Sequence, residues 1–211
     1  MRKPDSERAL PLLGSLPSAL ELPVVGPFSW IPSSADDSPR VFDVPESRKC
    51  GLYLFAVSAS AGELIYWVGQ TSQPVRTRLA THSREFLAGT YNILDISKLR
   101  ACQRHVVWQG LWWRKDSPDR FEEYLLRAGD IAPLTLAQLR ATRVYILHTP
   151  KDRRLLARLE ASVVAALYAD PEVGSILDRG YSLSARWATE EPIDVRLEGP
   201  SLLGLPRMMR I

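Results

Sequence analysis

Cysteine and lysine are scarce in this 211-residue chain, and long apolar runs are missing from it. Only Cys50 and Cys102 occur. Two cysteines are too few for a disulfide framework or a cysteine-rich metal centre, so reduced thiols are expected. No stretch approaches the roughly 18 to 20 consecutive apolar residues that a membrane helix needs, and no membrane partner is expected. The early segment "ALPLLGSLPSALELPVV" is broken by prolines and carries Glu21. That is unlike a secretory leader, and a cytoplasmic location is expected. There is no Gly-rich phosphate loop of the nucleotide-binding kind, no His-Glu-His metal helix, no internal repeat and no low-complexity tract.

What is present is a globular composition, 45% apolar, in a chain long enough for one domain with a sizeable core. Five of the 27 basic residues are Lys and the other 22 are Arg, with a formal net charge of +3. Arginine's planar fork suits bidentate phosphate contact, whereas a merely solubilising surface could as well use lysine. The balance points weakly toward a nucleic-acid partner.

Residues 1–46 are rich in proline and show no sustained periodicity, which reads as an arm or wrapping segment. From Gly51 the pattern changes. "LYLFAVS" and "ELIYWVG", separated by "ASAG", predict an antiparallel hairpin. Pro74 then opens a helix to about Leu87. "RHVVWQGLWW" is a further strand candidate, "DRFEEYLLRAG" a helix ended by Gly129, and "LTLAQLRA" another short helix. "TRVYILHT" predicts a strand, followed by a long helix over about 151–169. Residues 189–211, with three prolines, read as a tail that packs or binds.

Two positions stand out. Arg78 and His82 are four residues apart and so share a helix face. His82 falls inside the apolar stripe marked by Val75, Leu79 and Phe86, with Arg78 at its margin. Alone, such a pair reads as a core histidine satisfied by a backbone carbonyl beside an exposed arginine. Glu160, the second, has Leu156, Ala157, Val163 and Val164 as its neighbours three and four residues away. A carboxylate so flanked is partly desolvated unless a cation compensates it; Arg153 could pair with it, or Glu160 could hold a metal.

In combination, "GLY" on one strand, "WVG" closing the next, Arg and His spaced by four on the following helix, and a later strand and helix carrying a semi-buried Glu resemble the GIY-YIG nuclease family. The resemblance covers Gly51 to about Leu87 and Thr142 to Tyr168. It implies an α/β (α+β) fold with a small, mostly antiparallel central sheet and flanking helices. The nuclease domain would span 47–188 with an insertion at about 88–141, between an arm at 1–46 and a tail at 189–211. Carried across, the resemblance puts Tyr53 on the first family tyrosine, Arg78 on the catalytic arginine, His82 on the histidine of restriction-type members and Glu160 on the metal-binding glutamate. Trp67 stands where the family has its second tyrosine. Tyr66, one residue earlier, falls on the opposite strand face unless a bulge returns it. The asparagine that many members have after the glutamate helix has only Ser182 and Ser184 near its place.

The implied activity is hydrolysis of phosphodiester bonds in DNA, with RNA as an open alternative, using one Mg²⁺ or Mn²⁺ ion on Glu160 with Arg78, Tyr53 (or Tyr66) and His82 assisting. Arg76, Arg84, Arg153 and Arg154 would contact the nucleic-acid backbone. The alternative is a catalytically impaired nucleic-acid-binding or protein-interaction module on the same fold. A homodimer or protein partner could engage the proline-rich arm, the insertion or the tail.

Overall fold

A computed structural model describes residues 18–33, 37–111, 118–178 and 182–211. Its centre is a hairpin of β2 (Gly51–Ala59) and β3 (Gly62–Thr71), the two apolar runs that alternate most clearly in sequence. Their register is regular from Gly51↔Thr71 to Phe55↔Trp67 and then slips, so that Ala56 faces Ile65 and Tyr66 is the extra residue of a bulge. Before the slip, alternation puts Tyr53, Phe55, Trp67 and Gly69 on one side, and Leu52, Leu54, Val68 and Gln70 on the other. β6 (Arg143–His148), buried through its middle, pairs with the far edge of β2.

The sheet is larger than the sequence suggests. Seven strands follow the order β8 (Leu202–Leu203), β3, β2, β6, β1 (Ala19–Ser29), β7 (Asp194–Glu198) and β9 (Met208–Arg210), and four of the six pairings are antiparallel. β1 lies within the span expected as an arm, yet it pairs with β6 at one end and with β7 at the other. Its prolines hid it. Pro27 falls where the β1–β6 register shifts between Val25 and Phe28, a place that tolerates a missing N–H. The expected tail likewise supplies strands: β7, β8 and β9. Residues 1–17 of the arm lie outside the described residues.

Helix α1 (Val75–Leu87) follows β3 directly. The expected insertion holds a small ladder of β4 (Ile93–Leu94) and β5 (Val106–Trp108), with α2 (Ile96–Arg100) between them, and α3 (Pro118–Ala141). The strand expected from "RHVVWQGLWW" shrinks to β5; Trp112 and Trp113 lie outside the described residues. α3 is continuous where two helices were expected, running through Gly129 and Pro133. Gly129 faces open space, so nothing there stops the helix, and the buried Ile131, Thr135, Gln138 and Leu139 fasten its second half. α4 (Arg153–Ala169) starts at Asp152, whose carboxylate accepts from the backbone N–H groups of Arg154 and Leu155. It packs on β3 and β2, and the short α5 (Val173–Ile176) follows it. Among the described residues no helix is long and apolar enough to cross a membrane.

Candidate active site

Gly69 sets the geometry. A Cβ at this position would lie 2.4 Å from the Tyr53 ring, so the phenol can lie across β3 only because residue 69 has no side chain. Tyr53 is thereby aimed toward α1. There the stripe Val75, Leu79, His82 and Phe86 is buried, as 3.6-residue periodicity requires. The Tyr53 hydroxyl and His82 Nε2 are 2.7 Å apart. The other nitrogen, Nδ1, has no partner among the described residues. The backbone carbonyl expected to satisfy a core histidine is therefore not its partner. The imidazole sits among the rings of Tyr53, Phe55, Trp67 and Tyr91, with centroids 5.3 to 6.1 Å away.

Arg78, one turn before His82, is exposed, and its guanidinium reaches the Tyr53 hydroxyl. Burial and the Arg78 charge together press the His82 pKa down to about 3, so the ring is neutral at neutral pH. Burial lifts the Tyr53 phenol to about 12 despite Arg78. Since Arg78 can only donate, the consistent arrangement has the tyrosine oxygen accepting from Arg78 while its O–H donates to His82 Nε2.

Gln70 lies on the opposite side of β3 from Gly69, the side on which α4 runs, and its amide donates to Glu160 Oε2 at 3.0 Å. Glu160 is half-buried, and Gln70 rather than Arg153, the partner the sequence offered, is the side chain that acts on its carboxylate. Burial raises its pKa, and the Gln70 amide only partly offsets this. Glu160 is not hydrogen-bonded to Tyr53, Arg78 or His82. Glu160 therefore stands on the opposite side of β3 from Tyr53 and His82; at the end of the strand Gln70, Thr71, Gln73, Arg78, Arg153 and Leu156 line one open depression, into which Arg78 from one side and Gln70, the partner of Glu160, from the other both project. The negative charge of Glu160 is felt at the Tyr53 hydroxyl. Thr71 Oγ1 accepts from the Gln73 N–H at 3.1 Å and shapes the turn that forms the rim.

The remaining site candidates divide. The bulge gives Tyr66 a place beside Trp67 on a cavity shared with Phe86 and Gln138, but its hydroxyl is tied to Thr142 Oγ1 at 2.6 Å and burial lifts its pKa to about 12. It does not line the depression. Trp67 packs against Phe55 and edges His82 and Tyr91. Arg76, Arg84 and Arg153 are exposed, and Arg153 alone of the three lines the depression.

Arg154 is not free for a phosphate. Its guanidinium donates to Glu190 Oε1 at 2.6 Å, to Ser184 O and Oγ at 3.0 and 2.9 Å, and to Ala185 O at 2.7 Å. Ser184 is thus engaged with α4, while Ser182 is exposed. The sequence reading passed over Gln70 and Tyr91. A polar residue immediately after the glycine that closes β3 was the available signal for Gln70; Tyr91 had none, because it comes from an irregular segment.

No group of three or more His, Cys, Asp or Glu side chains is placed to hold a metal ion among the described residues. An all-protein metal cage is therefore not formed by them. A lone, half-buried carboxylate with a raised pKa fits the other mode of Mg²⁺ binding, in which one carboxylate shares the ion with water and substrate phosphate oxygens. No protein-family model, no curated protein and no solved structure matches this chain.

Proposed function

We propose that the protein is a metal-dependent endonuclease of GIY-YIG type that hydrolyses phosphodiester bonds in DNA. The observation that carries this reading is the Tyr53–His82 hydrogen bond, with Arg78 on the same hydroxyl, at the edge of a depression shared by Arg78 and the partner of Glu160. The phosphodiester would lie in that depression against Arg78 and Arg153. Arg78 donates to a non-bridging oxygen and holds it most strongly as charge grows in the transition state. Tyr53 orients the attacking water. A phenol lifted to about 12 does not store a tyrosinate, so Tyr53 accepts the water's proton as it passes its own to His82 Nε2. His82 begins neutral and is a weak base chiefly because it is buried and secondarily because of the Arg78 charge; the negative charge of the entering phosphate favours its protonated form and so offsets that penalty. Glu160 would hold Mg²⁺ or Mn²⁺, which supplies charge neutralisation at the phosphate and leaving oxygen. Cytoplasmic residence with both cysteines reduced belongs to the same proposal, and Cys50 and Cys102 are unpaired.

The test is incision of labelled DNA, in duplex, single-stranded and branched forms, with Mg²⁺ or Mn²⁺. Metal-dependent incision that disappears in Glu160→Ala supports the reading. The second reading, a non-catalytic binding or interaction module on this fold, draws on Tyr66, whose hydroxyl is committed to Thr142, and on Trp67 packed beside His82. A wild-type protein that binds DNA but incises none of the three forms would establish that second reading.

A further inference from the structure

Trp187 is 60% exposed, the most exposed tryptophan among the described residues. A large apolar ring left in water is ordinarily mobile, but this one is held. The Arg154 guanidinium lies 4.1 Å from its ring centroid. Arg154 is itself fixed by Glu190, Ser184 and Ala185. The main chain at Trp187 is tied as well: its backbone N–H donates to Glu190 Oε2 at 2.8 Å, and the Glu190 backbone N–H donates to Trp187 O at 3.0 Å. The hydrogen bonds from the Arg154 guanidinium hold the Glu190 carboxyl down at about 2, so this clamp stays ionised at any pH where the protein would work. A ring with one face against a guanidinium and most of its surface in solvent presents its second face outward. The rigid presentation has no packing role, because Trp187 is absent from the buried core and from its margin.

Position supplies the ligand. Arg153 lines the depression and the next residue, Arg154, backs Trp187, so one turn of α4 joins the two features. We propose that Trp187 is a stacking platform for an unpaired nucleobase adjacent to the phosphate held by Arg78 and Arg153. The substrate class is then a nucleic acid with an unstacked base near the cut: a single strand, a branch or a flipped nucleotide. Every base offers a π-face to an indole, so the platform favours unpaired over paired strands without reading sequence. This inference rests on the proposed phosphodiester site.

The experiment measures binding, without divalent metal, of two labelled oligonucleotides of equal length: a single strand bearing bases and the same backbone made abasic. Wild type should prefer the base-bearing strand. Trp187→Ala should weaken that strand roughly ten-fold or more, leave the abasic strand unchanged and keep the wild-type melting temperature. Trp187→Phe should retain most of the preference. Arg153→Ala should weaken both strands alike. Equal wild-type affinity for the two strands, or an equal loss on both in Trp187→Ala, overturns the platform while leaving the phosphate site standing. No binding of either strand overturns the platform and leaves Trp187 as a contact for a protein, while the phosphate site is then judged by the incision assay on duplex and branched DNA.

Discussion

His82 Nε2 lies 2.7 Å from the Tyr53 hydroxyl, and the two side chains come from a strand and a helix separated by another strand and a turn. Both are almost completely buried. The dependence is one-sided: Tyr53 keeps Arg78 on its hydroxyl, whereas His82 has no side-chain partner but Tyr53 among the described residues, so removing the hydroxyl strands the imidazole.

Tyr53→Phe removes the hydroxyl and leaves Nε2 of His82 buried and unpaired. The variant should lose about 1–3 kcal/mol of stability in urea denaturation, the cost of an unmet buried polar group. If Tyr53 and His82 also form the proton path, incision should fall by roughly 10²-fold or more, beyond what the unfolded fraction explains. A stable variant with unimpaired incision would remove Tyr53 from the chemistry.

The depressed His82 pKa makes an acid-stability prediction. The folded imidazole titrates near 3, whereas an unfolded one titrates near its ordinary 6.5. Between those values the unfolded chain binds more protons, so stability rises with pH across the window and is complete above it. Melting temperature should therefore fall as pH drops from about 6.5 toward 3. In His82→Phe this part of the slope should vanish. An unchanged slope would mean that His82 is not the group responsible.

Arg153 and Arg154 are sequence neighbours with opposite expected behaviour. Arg154→Ala removes the bonds that hold the 184–190 segment, and Glu190 should titrate again in the ordinary carboxylate range instead of near 2. Hydrogen exchange in that segment should speed up. Arg153→Ala should change neither, because Arg153 is exposed, but it should weaken DNA binding and lower its salt dependence by about one phosphate contact. Identical behaviour of the two variants would contradict the assignment.

The elements of the site core were legible because each is local. β2, β3, α1, β6 and α4 announce themselves by periodicity, and the placement of His82 in the stripe of α1 needs only 100° per residue. What was hidden depends on distant partners. β1 carries prolines and becomes a strand because β6 and β7 flank it. α3 passes Gly129 and Pro133 because four buried side chains from Ile131 onward fasten it. Arg154 resembled its neighbours until Glu190, thirty-six residues later, closed on it. Gln70 became part of the site only when α4, ninety residues later, brought Glu160 to it.

Glu160 carries a carboxylate whose pKa burial has raised, so its charge opposes folding. The cost appears as pH rises from the ordinary carboxylate range to the raised folded value, and is complete above it. Below that window Glu160→Gln should match wild type in stability. At neutral pH it should melt at the same temperature or slightly higher. A variant that melts earlier at neutral pH would mark Glu160 as a structural group.

The most direct test combines Glu160→Gln and Arg78→Ala in one nicking assay on DNA with Mg²⁺ or Mn²⁺, each variant first shown to be folded. The account predicts metal-dependent nicking by wild type and its loss in both variants, with DNA binding retained by Glu160→Gln. Nicking that persists in folded Glu160→Gln, or that proceeds in wild type with all divalent metal chelated, would contradict it.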